Sequence, residues 1–390
     1  MKILIVSPKF HPVIGGGETY VLNSARLLQQ MGLNVIVAVE PHPNRNIKSY
    51  PFEVREISGL SDSKLDILLA PDGLANLIEE FSPELIHVHG YFALLAVGLT
   101  NNHDIPIIAS IHSTPVWGQR LIGGMSNFNA ELHFVRSVLD LARPQFITAA
   151  NGVYADAARK IAQDRVKVAV VPYPVDIDYF HRQYKSQYRK ALGLKITDCL
   201  IITPSRIIER KGIKEVIHAL GYLPENNYLC LPGAFDPLDK DYWNSICQSQ
   251  FYKKVEHRVI IPKEQFLYED MPALYGAADI VVMPSYYEGA PVATVEAMAS
   301  GKPFVGADSQ GINSFIHNNE NGLLVPKKSI RELADAIIKL EHNAALRNRL
   351  SEQAYIDVGH LSWDLRITDL IQVYNEALEH YHLTLIQSAK

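Results

Sequence analysis

The stretch DIVVMPSYYEGAPVATVEAMASGKPFVGADS, residues 279–309, reads as a strand, a turn, a helix and a second strand. DIVVM and PFVGA are short continuous apolar runs, the pattern of strands buried on both faces. VATVEAMAS between them is made of good helix formers, and Gly301 ends it. Pro291 suits the first helical turn, where its missing N–H costs little. This is a parallel βαβ unit, and the same alternation recurs along the chain. KILIVSP, NVIVAVE, LIHVHG, IPIIASIH, QFITAAN and KVAVVPY mark strands in the first half. CLIITPSR, NYLCLPG, RVIIPK, DIVVMPS, PFVGADS and GLLVP mark strands in the second. About six strands in each half make two Rossmann-like, doubly wound parallel sheets, an α/β architecture of two domains facing across a cleft.

The chain's 390 residues suit two domains of ordinary size. A hydrophobic fraction of 47% and a charged fraction of 20% are those of a globular protein with sizeable cores. The net charge of −5, without a polybasic run, argues against nucleic acid or an anionic membrane as main partner. Cys199, Cys230 and Cys247 form no CxxC pair, and Cys199 and Cys230, in or beside apolar strand-like runs, read as buried reduced thiols, hence a reducing, cytoplasmic setting. The opening apolar run is too short for a signal peptide and reads as a first strand. No window approaches the roughly 20 apolar residues of a membrane span, although peripheral membrane contact stays open. The prolines of VPYPVD place the domain boundary, dividing the chain into 1–175, 176–364 and a terminal helix, 365–390. Trp363, Leu365, Leu370, Val373, Tyr374 and Leu378 recur at helical spacing there, for a helix packed back on the first domain.

Ligands of open parallel sheets bind beyond the carboxyl ends of strands, so the residues that follow strands carry the functional reading. Gly15, Gly16 and Gly17 open a helix after the first strand, where amides favour an anion and glycine admits close approach. The spacing is neither GxGxxG nor a P-loop, and a plain glycine turn is the competing reading. His112 ends a strand and precedes polar residues. His87 and His89 share one strand face, but no third ligand has metal-site spacing, so no metal is expected. Arg206 and Lys211 follow the first strand of the second domain and suit phosphate oxygens, with Arg210 as the solvated neighbour. In the opening stretch, Glu288 stands before the helix and Glu296 just over a turn inside it. Free amides of Ala290, Val292 and Ala293 form an anion site at that helix start. Two carboxylates flanking such a site fit a diphosphate with hydroxyl-rich groups at both ends, each acid accepting bonds from a diol. Two acids near a helix start, favoured by the macrodipole, are the plainer alternative, which explains Glu288 better than Glu296.

Together these residues resemble the retaining glycosyltransferases of family 4, which have the GT-B fold. The E-x7-E motif is matched by Glu288 and Glu296, the GGxE turn by Gly15 to Glu18, and the basic pair by Arg206 and Lys211. The pocket histidine is matched by His112, and the likeness runs along nearly the whole chain. The resemblance implies a nucleotide-diphosphate sugar bound by the second domain, UDP being the commonest nucleotide for such sequences with GDP and ADP left open, and an acceptor bound by the first. It implies transfer with retention, without cofactor or required metal. It gives Glu296 the ribose, Glu288 and His112 the donor sugar, and Arg206 and Lys211 the leaving diphosphate. Gly15, Gly16, Gly17 and the run Gly289, Ala290, Pro291, Val292 and Ala293 border the donor, while Ile261 and Pro262 border its base. Ala290 and Pro291 replace the family's usual Phe-Gly, and VPYPVD replaces VPNGVD.

An epimerase or hydrolase of the same fold is the alternative enzyme, and a non-catalytic sugar-binding protein the remaining one. A metal-dependent transferase needs an Asp-x-Asp site, and the triplets 176–178 and 239–241 do not end strands of the right kind. The acceptor is expected to be small and polar or a glycan, and residues 114–134, with Trp117, Met125 and Phe128, are the candidate acceptor segment.

Overall fold

The computed structural model describes residues 1–13, 15–60, 70–100, 104–112, 128–163, 165–181, 185–233, 239–262 and 266–388. Trp117 and Met125 of the candidate acceptor segment lie outside the described residues, as does the side chain of Phe128. The chain divides into two compact units, one formed by Met1–Pro174 with Asp364–Lys390 and the other by Val175–Trp363.

Among the described residues the first unit holds seven strands: β1 (Lys2–Ser7), β2 (Asn34–Val39), β3 (Glu53–Glu56), β4 (Leu85–His89), β5 (Ile107–Ile111), β6 (Phe146–Ala149) and β7 (Lys167–Val170). They are all parallel, in the order β3-β2-β1-β4-β5-β6-β7. β1 is an interior strand, pairing Ile3 with Val35 on one side and with Leu85 on the other. Burial on both faces is why the run Ile3–Val6 is unbroken by polar residues. The short edge strand β3, EVRE, was not among the strands expected from sequence. Only Val54 of its four residues is buried, and its charges are those of an edge that avoids further pairing.

The second unit holds β8 (Cys199–Ile202), β9 (Asn227–Cys230), β10 (Val259–Ile260), β11 (Ile280–Met283), β12 (Phe304–Ala307) and β13 (Leu323–Val325). Their order is β10-β9-β8-β11-β12-β13, again parallel throughout. Each sheet has a core on both faces. In the second unit Ile201, Val282 and Val305 face one layer of helices, and Leu200, Val281 and Phe304 the other.

The helix Trp363–Ser388 packs Ile367, Leu370, Val373, Tyr374 and Ala377 on Ile3, Ile5, Val37 and Phe146 of the first unit. Leu365, expected in its apolar stripe, is instead half exposed, because it falls on the solvent side of the first turn. Among the described residues no helix is long and apolar enough to cross a membrane. Cys199 and Cys230 are buried free thiols pushed up to about 12, chiefly by burial, and so stay protonated. Cys247 is half-buried.

Candidate functional site

In a doubly wound sheet the two strands where the order reverses leave an opening at their carboxyl ends. In the second unit these strands are β8 and β11. The loop after β8 carries Arg206, Arg210 and Lys211, and the loop after β11 carries residues 284–291. The two loops are docked tightly. Gly212 has φ +69°, and a Cβ there would collide with the Pro284 carbonyl. Tyr286 N donates to Arg210 O at 2.8 Å. From the other side Gly311, at φ +92°, lies against the Glu288 carbonyl with no room for a Cβ. Glycine is required at both positions by conformation and by space together.

This clamp holds Glu288, whose side chain is 5% exposed. Lys211 Nζ donates to its Oε1 at 2.5 Å, and Arg210 Nη1 approaches Oε2 at 3.4 Å. Burial pushes the carboxyl up, but Lys211 and then Arg210 outweigh it and hold Glu288 below the usual carboxylate range. Burial pulls Lys211 below its ordinary value, against the attraction of Glu288. Arg210, expected to be solvated, instead spans the loop: it also bonds Tyr287 O, and its guanidinium lies 5.3 Å from the Tyr287 ring centre. The fold brings this arginine inward because its own carbonyl is tied to the facing loop. Arg206 is exposed on the same loop, close enough for its charge to lower Lys211 further.

The helix Val292–Ala299 starts one residue later than the sequence suggests, with Pro291 as its N-cap residue. The expected anion site of three free amides is corrected accordingly. Val292 N donates to Ala290 O at 2.9 Å, so that amide is taken, leaving Ala290 and Ala293 as its remaining candidates. Gly289 and Ala290 are half-buried beside them. Glu296 lies inside this helix, buried, with Tyr275 Oη 3.0 Å from Oε2. Burial pushes it up to about 7, opposed by the Tyr275 bond. The two acids therefore differ: Glu288 is ionised by cations, and Glu296 is poised near neutrality by burial. Ile261 and Pro262 follow β10 at the carboxyl edge of the same sheet, both half-buried.

In the first unit the order reverses between β1 and β4. Gly15 is the N-cap of the helix Gly16–Gln30, and the Glu18 carboxylate folds over it. Gly17 rests 3.4 Å, measured from an added Cβ, from the His112 ring. His112 directly follows β5, and both its ring nitrogens are engaged. Nε2 is 2.6 Å from His89 Nδ1 in a coplanar pair, and Nδ1 meets the Tyr173 hydroxyl. Burial lowers His112 to about 4, so it is neutral at pH 7. His87 bonds Tyr374 Oη and Ser110 Oγ, each at 2.7 Å, so neither of its nitrogens is available as a ligand. Nothing in the sequence marks Tyr173, Tyr374 or Tyr275 as partners of these groups, since each pairing spans distant segments.

Among the described residues no group of three His, Cys, Asp or Glu side chains is arranged to hold a metal. Of the Asp-x-Asp triplets, Asp176 is accounted for as the cap of the helix Ile177–Phe180, accepting from Tyr179 N at 3.0 Å. A groove of about 660 Å³ lies elsewhere in the second unit, lined by Phe315, His317, Arg349, Asp357 and His360, and contains none of the candidate residues.

Residues 185–357 match the family model described as glycosyl transferases group 1, and residues 14–179 match glycosyltransferase family 4. The chain is 24% identical over 416 residues to a D-inositol 3-phosphate glycosyltransferase of Corynebacterium aurimucosum, covering 97% of this chain and 96% of that one. Its fold is similar to sucrose-phosphate synthase from Thermosynechococcus elongatus, with a TM-score of 0.83 at 19% identity over 97% of this chain and 99% of that one. HepE of Anabaena, solved in complex with UDP-glucose, has a TM-score of 0.79 at 19% identity over 96% of this chain and 100% of that one. Two parallel α/β units, an acid–cation cluster at a strand-order reversal and matches to both halves lead to one assignment: the chain belongs to the GT-B glycosyltransferases of the family 4 type.

Proposed function

We propose that this glycosyltransferase takes its sugar from a nucleotide-diphosphate donor, UDP-linked, and transfers it to an acceptor hydroxyl with retention at the anomeric carbon. The observation that carries this reading is the cluster at the β8–β11 reversal, where Lys211 and Arg210 face Glu288 and Arg206 stands beside them. A pyrophosphate leaving group gains charge as the glycosidic bond breaks, and preorganised cations stabilise that charge where it develops. Lys211 and Arg206 take this part, so no resident metal is required of the protein. Glu288 accepts a hydroxyl of the donor sugar, and Glu296 accepts the ribose diol, with Ile261 and Pro262 beside the base. The donor nucleotide thus belongs to the second unit. The first unit takes the acceptor. HepE, solved with UDP-glucose, supports UDP as the nucleotide, and the inositol phosphate glycosyltransferase supports a small polar acceptor.

A thermal-shift panel of UDP-, GDP- and ADP-sugars, with and without EDTA, tests the donor. Mass spectrometry and anomeric NMR of products with polyol acceptors then test the transfer. Stabilisation by a UDP-sugar, an α-linked product from an α-linked donor, and no effect of EDTA are expected. An isomerised or hydrolysed donor without any acceptor would instead mark the epimerase or hydrolase.

A further inference from the structure

Glu296 is held by a group outside its own helix. Tyr275, on the helix Met271–Ala277 before β11, has its hydroxyl 3.0 Å from Glu296 Oε2 and 3.1 Å from Ala293 O. The tyrosine is 0% exposed, and its ring packs edge-on against Phe180 at 5.7 Å. Core packing therefore fixes the phenol, while one proton serves two acceptors. Among the described residues Glu296 Oε1 accepts no hydrogen bond, so one oxygen is held and the other is open.

We propose that Tyr275 is the positioning residue for nucleoside recognition: its hydroxyl pins Oε2 of Glu296 and aims the open oxygen at a ribose diol. This rests on the reading that Glu296 takes the ribose. A charged carboxylate competes better than the neutral Ala293 carbonyl for the single proton, since charge-assisted bonds are roughly twice as strong. The bond thus forms fully in the ionised, diol-accepting state. It also favours that state, opposing the burial that raises Glu296. No other titratable group contributes to the shift of Glu296, and Tyr268 acts on Tyr275 rather than on the acid.

The test is calorimetric titration of the full-length protein at pH 8 with UDP and with 2′-deoxy-UDP, or with the GDP or ADP pair if one of those binds tighter. The ratio of the two affinities reads the ribose contact and cancels the phosphate contribution. The wild-type ratio is expected to be about tenfold, the scale of one hydrogen bond to a charged group. Tyr275→Phe is expected to reduce the ratio to about two, with pyrophosphate affinity unchanged, because the phosphate site is left intact. A purely structural role would lower thermal stability and leave the ratio alone. A wild-type ratio in Tyr275→Phe overturns the proposal while leaving the Glu296 reading in place. A ratio near one in the wild type, unchanged by Glu296→Gln, overturns both. If Tyr275→Phe does not fold, Tyr275→Met, whose flexible side chain adapts to the space and carries no donor, is measured the same way.

Discussion

Glu288 and Glu296 sit eight residues apart, but the fold gives them opposite electrostatics. Glu288 is a partner to cations, so its charge is permanent at neutral pH. Lys211→Ala and Arg206→Ala are therefore expected to cut turnover on the order of 100-fold, with smaller losses in donor affinity. Steady-state kinetics against calorimetric donor binding separates the two, and losses confined to affinity would remove these cations from the leaving-group role. Glu296 is poised by burial, with its folded value raised to about 7. The unfolded chain ionises this acid near 4.5, so between 4.5 and 7 the folded state holds the proton more tightly. Its contribution to stability is thus full below 4.5 and is lost as pH rises through 7. Glu296→Gln, which cannot ionise, should gain on the unliganded wild type between pH 5 and 8, by up to about 3 kcal/mol. Melting curves across that range check it, and parallel profiles would show that burial does not raise the acid.

At the scale of elements, two contacts stand out. The terminal helix is joined to β4 by the buried bond between Tyr374 and His87, and burial lowers that histidine to about 3. Tyr374→Phe leaves His87 Nδ1 without its partner inside the core. A loss of about 1–3 kcal/mol is expected in denaturant unfolding. A loss within about 0.3 kcal/mol would mean that the helix is held by its apolar face alone. The second contact is the pair of loops after β8 and β11, pressed together at Gly212. Gly212→Ala forces a Cβ into the Pro284 carbonyl at a positive φ, and must move Lys211 away from Glu288. Donor affinity should drop at least tenfold, measured beside Gly301→Ala. Gly301 also has a positive φ, +59°, but it has open space around it and so controls for backbone strain alone.

For the whole molecule, the reading assigns the nucleotide to one unit, and hydrogen exchange tests that division. UDP is expected to protect amides of residues 205–212 and 284–297 and to leave β4 and β5 unchanged. Protection centred on the first unit would reverse the assignment. The parallel α/β class, twelve of the thirteen strands among the described residues and the positions of both acids were legible in the sequence. Those features are local, since burial on both faces demands apolar runs and helix starts demand particular residues. β3 escaped because an edge strand buries little. The amide of Val292 escaped because it closes a tight local turn onto Ala290 O, and the inward turn of Arg210 because it depends on one loop lying against another. Long-range contacts alone keep Glu288 ionised between Lys211 and Arg210, bring Glu296 up to about 7, and let Tyr275 and Tyr374 hold residues 21 and 287 positions away. The physical reason is that ionisation follows desolvation and neighbouring charge, and both are set by contacts between segments remote in sequence.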